Sequence, residues 1–245
     1  MNTETMNNIA ILKKLVAEAG STVFFGGAGV STASGIPDFR GTNGLYTETT
    51  YKGLPPEYLL SARCLNTAPE LFYDYYRHSM IYPDAHPNDA HSALAELERS
   101  GRLTAVVTQN IDGLHQKAGS RNVLELHGTT SRYYCKRCLK QYGEEIIGST
   151  DGVPRCSCGG MIRPDVVMYG EGLDEAVFSA AEQAIRQADV LIVGGTSLTV
   201  NPAASLVSAY RGKHLAIINY QETPYDFCAE YIIRESVADV LPMLV

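Results

Sequence analysis

The sequence predicts an α/β fold: a parallel sheet covered by helices on both faces, with a second, smaller domain made from two insertions. Three observations predict it. Short apolar, β-branched runs alternate with helical patterns, as in a parallel sheet whose strands are joined by helical crossovers. Polar, glycine-rich segments follow the carboxyl ends of those runs, where open α/β sheets bind ligands. Two stretches, 45–85 and 129–165, break the alternation, the first rich in tyrosine and the second in paired cysteines.

The elements follow in order. Ile9, Leu12, Val16 and Ala19, with Leu15, recur at helical spacing and predict a helix over 7–19 that Gly20 ends. Ser21 to Phe25 reads as a buried strand running into Gly26-Gly27. A helix through Ala93, Leu94 and Leu97 precedes a strand at Leu103–Thr108. Val190–Val193 is a strand ending at Gly194-Gly195, with a helix expected from Pro202 onward, and Leu215–Ile218 is another strand. Within the tyrosine-rich insertion, Leu71, Phe72, Tyr75 and Tyr76 predict a helix from about Pro69.

A chain of 245 residues can bury one large core and a smaller one beside it. Its apolar fraction, 45%, and charged fraction, 19%, are ordinary for a globular protein. The formal net charge of −7 argues against a nucleic-acid partner and suits cationic, lysine-bearing ones. No secretory leader, membrane-length apolar run or lipidation motif is legible, so the expectations are a cytoplasmic protein without a membrane partner, and a monomer.

Four of the six cysteines form C-x2-C (Cys135, Cys138), a gap of seventeen residues, then C-x-C (Cys156, Cys158). Two close pairs of soft ligands on facing turns suit one tetrahedral zinc ion, and four protein ligands leave no open position, so the metal is expected to be structural. An unmetallated or redox-active set is the alternative. The surrounding basic residues (Arg132, Lys136, Arg137, Lys140, Arg155) are interrupted by Glu144, Glu145 and Asp151, which favours a scaffold over a nucleic-acid reader. Cys64 and Cys228 read as small packing residues.

Gly27-Ala28-Gly29 follows a predicted strand, where glycines let a backbone approach a pyrophosphate. The dehydrogenase fingerprint is incomplete: Thr32 occupies the third glycine position, and no second strand ends in an acid at the expected distance.

GAGVSTASGIPDFRG (27–41), TQNIDGLHQKAG (108–119), ELHG (125–128), the paired cysteines, RPDVVMYGE (163–171), GTSLTVNPA (195–203) and Ile218-Asn219 resemble the sirtuin motifs, in sirtuin order, over nearly the whole chain. The resemblance implies a Rossmann-like large domain (1–44, 86–128 and 166–245) that binds NAD. It also implies a small domain of a helical module (45–85) and a zinc module (129–165). The implied activity is NAD-dependent deacetylation of lysine in proteins or peptides, with transfer of the acyl group to ADP-ribose and release of nicotinamide. His127 would be the base that takes a proton from a ribose hydroxyl, a role suited to an imidazole near neutral pH. Asn110 and Gln109 would face the ribose, Ile111 and Asp112 the nicotinamide, and Gly27, Ala28, Thr196 and Ser197 the phosphates, with Thr32 and Gly195 also at the cofactor. Phe39 would shield the reacting carbon, and Asp38 and Arg40 would order the loop over the cofactor. Asn219 and Val237 would contact the adenosine, and Val167, Tyr169, Gly170 and Glu171 would pair with the substrate peptide.

One departure bears on acyl choice. Sirtuins that prefer succinyl-lysine or malonyl-lysine carry Tyr-x-x-Arg in the helical module; counting from Tyr73, the arginine position here is Tyr76, and Arg77 is one residue late. Mono-ADP-ribosyl transfer in the same cleft, hydride transfer, and a zinc module without catalysis are the competing functions.

Overall fold

The computed structural model describes residues 1–38 and 51–245. In chain order, α1 (Thr3–Glu18) leads into β1 (Thr22–Gly26). Two 3-10 turns follow, and then α2 (Pro56–Leu59), α3 (Ala62–Thr67), α4 (Pro69–Ser79) and α5 (Asp89–Arg99). Next come β2 (Ala105–Thr108), α6 (Leu114–Lys117), β3 (Val123–Glu125), β4 (Gly128–Cys135), β5 (Gln141–Gly143), α7 (Glu145–Gly148) and β6 (Ile162–Val166). The chain ends with α8 (Glu175–Gln187), β7 (Val190–Gly194), β8 (His214–Ile218), β9 (Tyr231–Ile233) and α9 (Val237–Val240).

Among the described residues the large sheet has six parallel strands in the order β3-β2-β1-β7-β8-β9. The order reverses direction between β1 and β7, which makes the crevice beyond their carboxyl ends the expected ligand site. Alternation sorts the side chains to two faces. Phe24, Val106, Ile192 and Ala216 pack beneath α1, α5 and α9, whereas Val23, Phe25, Val107, Leu191 and Ile217 pack beneath α8 and the 3-10 segment Ala203–Ala209. Burying a Phe on each face contributes roughly 2–3 kcal/mol apiece.

A second sheet, in the order β5-β4-β6, is antiparallel. It shares one core with the tyrosine-rich helices: Phe72, Tyr73 and Tyr76 of α4 pack with Tyr133, Ile147 and Ile162. The two segments that broke the strand–helix alternation therefore bury their apolar side chains against each other.

The sequence reading needs three corrections. The first helix begins at Thr3 because the Asn2 side chain caps it, accepting from the Thr5 amide at 2.8 Å. The segment after Pro202 is a 3-10 helix, not an α-helix. There the Pro202 carbonyl is taken by both the amide and the hydroxyl of Ser205, at 3.0 and 2.7 Å, which leaves little for an i+4 amide. The strands β3, β4, β5, β6 and β9 and the helices α2, α3, α6, α7, α8 and α9 add to the predicted elements. No helix among the described residues is long and apolar enough to cross a membrane.

Candidate functional site

The glycines that end β1 and β7 bring two loops into contact. Gly27 N–H donates to the Gly194 carbonyl at 3.3 Å, and Gly29 N–H to the Gly195 carbonyl at 2.8 Å. A Cβ on Gly29 would lie 2.7 Å from the Gly195 Cα, and Gly195 itself sits at φ 61°, which favours glycine. Only backbone fits between these loops. Gly29→Ala should force them apart and weaken NAD binding by about 10- to 100-fold, the equivalent of a typical overpacking cost. Calorimetric titration with NAD checks this; wild-type affinity would show that the contact is dispensable.

Ala28 and Thr32 stand on the first loop, with the Thr32 hydroxyl donating to the Gly29 carbonyl at 3.1 Å. Thr196 and Ser197 stand on the second. The Thr196 hydroxyl donates to Gln109 Oε1 at 3.0 Å, and Gln109 Nε2 is a buried donor with no protein partner. A buried orphan donor calls for an acceptor, and the oxygens of a dinucleotide supply such acceptors. Asn219, at the end of β8, donates to the Gln221 carbonyl at 2.9 Å. Val237, expected at the adenosine, has its side chain buried in the core against Gly194. Asp38 closes the first described segment; Phe39 and Arg40 lie outside the described residues.

Beyond β2, the Asn110 and Asp112 side chains converge on the Ser31 hydroxyl. Asn110 Nδ2 donates to Ser31 Oγ at 3.0 Å, and Ser31 Oγ donates to Asp112 Oδ2 at 2.7 Å. His91 completes the set. Its Nδ1 accepts from the Asn88 amide at 3.3 Å, so Nε2 carries the proton and faces Ser31 Oγ at 3.5 Å. Ser31 thus uses both lone pairs and its one proton. Burial holds the His91 pKa below its ordinary value and keeps the ring neutral. Ala28, Ser31, Ile36, Asn110, Ile111 and Asp112 line one crevice. Ser31 and His91 were missed as site residues. The serine lies inside the glycine motif without a chemical signature of its own, and the histidine meets it only through a contact 60 residues apart in sequence.

His127 lies where the large sheet gives way to the small one, just before β4. Its Nδ1 lies 2.8 Å from the Gln109 carbonyl. A carbonyl only accepts, so Nδ1 carries the proton and Nε2 keeps a lone pair. Burial lowers the pKa, with the Gln109 bond opposing it, so the neutral imidazole prevails at neutral pH. The His127 carbonyl accepts from the Val167 amide at 2.9 Å, which ties the expected base to the loop 167–171. In that loop Tyr169 bridges to the helical insertion: its N–H donates to the Leu60 carbonyl and its carbonyl accepts from the Ala62 amide, both at 3.0 Å. The Tyr169 side chain is exposed, Gly170 sits at φ 89°, and the Glu171 carboxylate is held by Arg163.

The sulfurs of Cys135, Cys138, Cys156 and Cys158 all lie within 4.8 Å of one another, with three separations of 3.5, 3.5 and 3.6 Å. Zn–S bonds of about 2.3 Å in a tetrahedron imply S–S edges of about 3.8 Å, so the set fits one zinc ion. The turns are shaped for it. The Arg137 amide donates to Cys135 Sγ at 3.3 Å, Gly159 takes φ 82°, and a Cβ on Gly160 would lie 2.6 Å from the Cys135 sulfur.

Comparison with known proteins supplies the context for this geometry. Residues 27–202 match the Sir2 family model. The chain is 50% identical over 242 residues to an NAD-dependent protein deacetylase of Clostridium acetobutylicum, covering 98% of this chain and 99% of the relative. It is 52% identical over 232 residues to one of Clostridium perfringens, covering 94% and 95%. Among solved structures, a Sir2 protein with a deacetylated p53 peptide and acetyl-ADP-ribose superposes with a TM-score of 0.87 at 40% identity, covering 96% of each chain. A Sir2 protein with a p53 peptide and NAD superposes with a TM-score of 0.83 at 39% identity, covering 95% of each chain.

Proposed function

Because this chain belongs to the Sir2 family, we propose that it is an NAD-dependent protein lysine deacetylase, which passes the acetyl group to ADP-ribose and releases nicotinamide. The observation that carries the proposal is the placement of His127, whose Nδ1–H is fixed on the Gln109 carbonyl at 2.8 Å, leaving Nε2 to accept a proton.

Bound NAD supplies the ribose that takes the acetyl group and the nicotinamide that leaves. Gly27, Ala28, Thr32, Gly195, Thr196 and Ser197 hold the phosphates through close backbone approach and hydroxyls. Gln109 and Asn110 orient the ribose, Ile111 and Asp112 receive the nicotinamide, and Asn219 meets the adenosine, with Val237 reaching it only through its backbone because its side chain is buried in the core. Phe39 would shield the reacting carbon from water, and Asp38 and Arg40 would order the loop over the cofactor. His127 Nε2 takes the proton of a ribose hydroxyl. Val167, Tyr169, Gly170 and Glu171 form the rim along which an acetyl-lysine peptide lies. Cys135, Cys138, Cys156 and Cys158 hold a structural zinc ion.

Residues 1–44, 86–128 and 166–245 form the NAD-binding domain in this proposal, with 45–85 and 129–165 as the two modules of the small domain. The single core that joins Tyr73 and Tyr76 to Tyr133 supports that grouping. The proposed compartment is the cytoplasm. The acidic balance supports a protein without a nucleic-acid partner, and the proposed working state is a monomer.

Acetyl-lysine should be preferred over succinyl-lysine. Arg77 donates to the carbonyls of Ile147, Thr150 and Gly152, at 3.3, 2.8 and 2.6 Å. The Tyr73 hydroxyl donates to the Ile162 carbonyl, and the Tyr76 hydroxyl contacts that of Tyr133 at 3.2 Å. These groups are committed within the small domain, so an acyl carboxylate would be desolvated without them as partners. An unpaired charge-assisted hydrogen bond corresponds to at least about 10-fold in kcat/KM. Equal rates on matched acetyl and succinyl peptides would refute this.

The activity is tested by incubating the protein with a panel of acylated lysine peptides, with and without NAD, and reading masses. Loss of the acetyl group only in the presence of NAD supports the proposal. ADP-ribose accumulating on protein, with the acetyl group retained, would favour the mono-ADP-ribosyltransferase instead.

A further inference from the structure

Arg163 on β6 is only 8% exposed, yet it carries a full charge. Buried charges persist where they are paired and hydrogen-bonded. Here the partners lie on its own strand, β6, and at the far end of the loop that follows it. Nη1 and Nη2 grip the two Glu171 oxygens at 2.5 and 2.9 Å, Nη2 also donates to the Val166 carbonyl at 2.8 Å, and Nε donates to the Pro164 carbonyl at 3.1 Å. Glu171 in turn accepts from the Met168 amide at 2.9 Å. The guanidinium lies 5.6 Å from the centre of the Tyr134 ring, and Tyr134 is its neighbour in register on β4. The pair therefore ties Glu171, at the far end of the loop 167–171, back to β6 of the small sheet. Within that loop, Val167 is tied to the His127 carbonyl and Tyr169 to Leu60 and Ala62.

We propose that the Arg163–Glu171 pair is a positioning device for the peptide-binding loop. It fixes where Val167–Gly170 meets an acyl-lysine peptide relative to His127, and so governs peptide affinity more than the chemical step. This rests on the proposed deacetylase function for its substrate. Glu171, on the rim of the peptide site, acts by holding the loop, since its two oxygens already serve Arg163 and the Met168 amide. The small domain has other supports: the β4–β6 pairing and the shared tyrosine core do not involve Glu171. Its loss should therefore loosen the loop without dissolving the fold.

Three variants test this: Glu171→Gln, which keeps the shape and removes the charge; Glu171→Ala; and Arg163→Lys, which keeps a charge without the planar fork. The peptide KM should rise by about 10-fold in Glu171→Gln and further in Glu171→Ala, with kcat changed by less than about 3-fold, and Arg163→Lys should fall between wild type and Glu171→Ala. NAD affinity and zinc content should stay at wild-type values. Amide hydrogen exchange at Val167, Met168 and Tyr169, measured without substrate, should accelerate in step with the KM. An unchanged peptide KM in Glu171→Ala, or equal losses of zinc, NAD and peptide binding, would overturn the proposal, the latter by showing a support for the fold as a whole. Unchanged loop exchange in Glu171→Ala would also overturn it. If the wild-type protein deacylates no peptide, the proposed function fails, while the exchange measurement still decides whether the pair holds the loop.

Discussion

Replacing His127 with alanine is expected to abolish deacetylation while NAD still binds. The loss should be about 10²–10⁴-fold in the rate of the chemical step, the usual contribution of a positioned base. NAD binding should survive because the touching glycine loops, Gly27–Gly29 and Gly194–Gly195, owe nothing to the imidazole. The pH profile gives a second readout. Burial lowers the His127 pKa, and the active form is the neutral one. Activity should therefore be flat across neutral pH and fall only as pH drops through a value below 6.5. Single-turnover rates and calorimetric NAD titration separate the two effects. Near-wild-type turnover in the alanine variant would remove His127 from the mechanism.

Removal of zinc should produce the next largest effect. Elemental analysis should find one zinc per chain, and a strong chelator should unfold the small domain. Apparent binding free energies for structural zinc reach about 10–16 kcal/mol in small zinc modules, more than enough to decide whether such a module folds. The chain has 15 tyrosines and no tryptophan, so its intrinsic fluorescence comes from tyrosine. Tyr73, Tyr76 and Tyr133 lie in the core that the cysteines adjoin, so part of the signal reports on the small domain. Chelation should change the fluorescence and stop turnover, because the loop that abuts His127 hangs from β6 of the same sheet. NAD should still bind the large sheet, more weakly. Zinc-free protein with full activity would defeat this account.

The parts of this molecule that were legible in the sequence are those carried by local chemistry. The β-branched and aromatic runs at β1, β2, β7 and β8 announce buried strands because both faces of a parallel sheet are covered. Cys135, Cys138, Cys156 and Cys158 announce a metal because few other arrangements need four soft ligands at that spacing. His127 was reached through its motif alone; its tautomer was not, because the Gln109 carbonyl that sets it lies 18 residues away. The edge strands β3 and β9 span three residues each, too few for any period to show. Ser31 and His91 gain their roles from a contact across the fold. Arg163 and Glu171 were both inside a recognised motif, but nothing in their spacing of eight residues shows that one grips the other.

The stoichiometry of the reaction tests the central claim most directly. With NAD and an acetyl-lysine peptide, the protein should yield one free lysine, one nicotinamide and one acetylated ADP-ribose for each NAD consumed, and the His127→Ala variant should yield none at a comparable rate. Nicotinamide release without formation of an acetylated ADP-ribose, or acetyl removal that proceeds equally well without NAD, would contradict it.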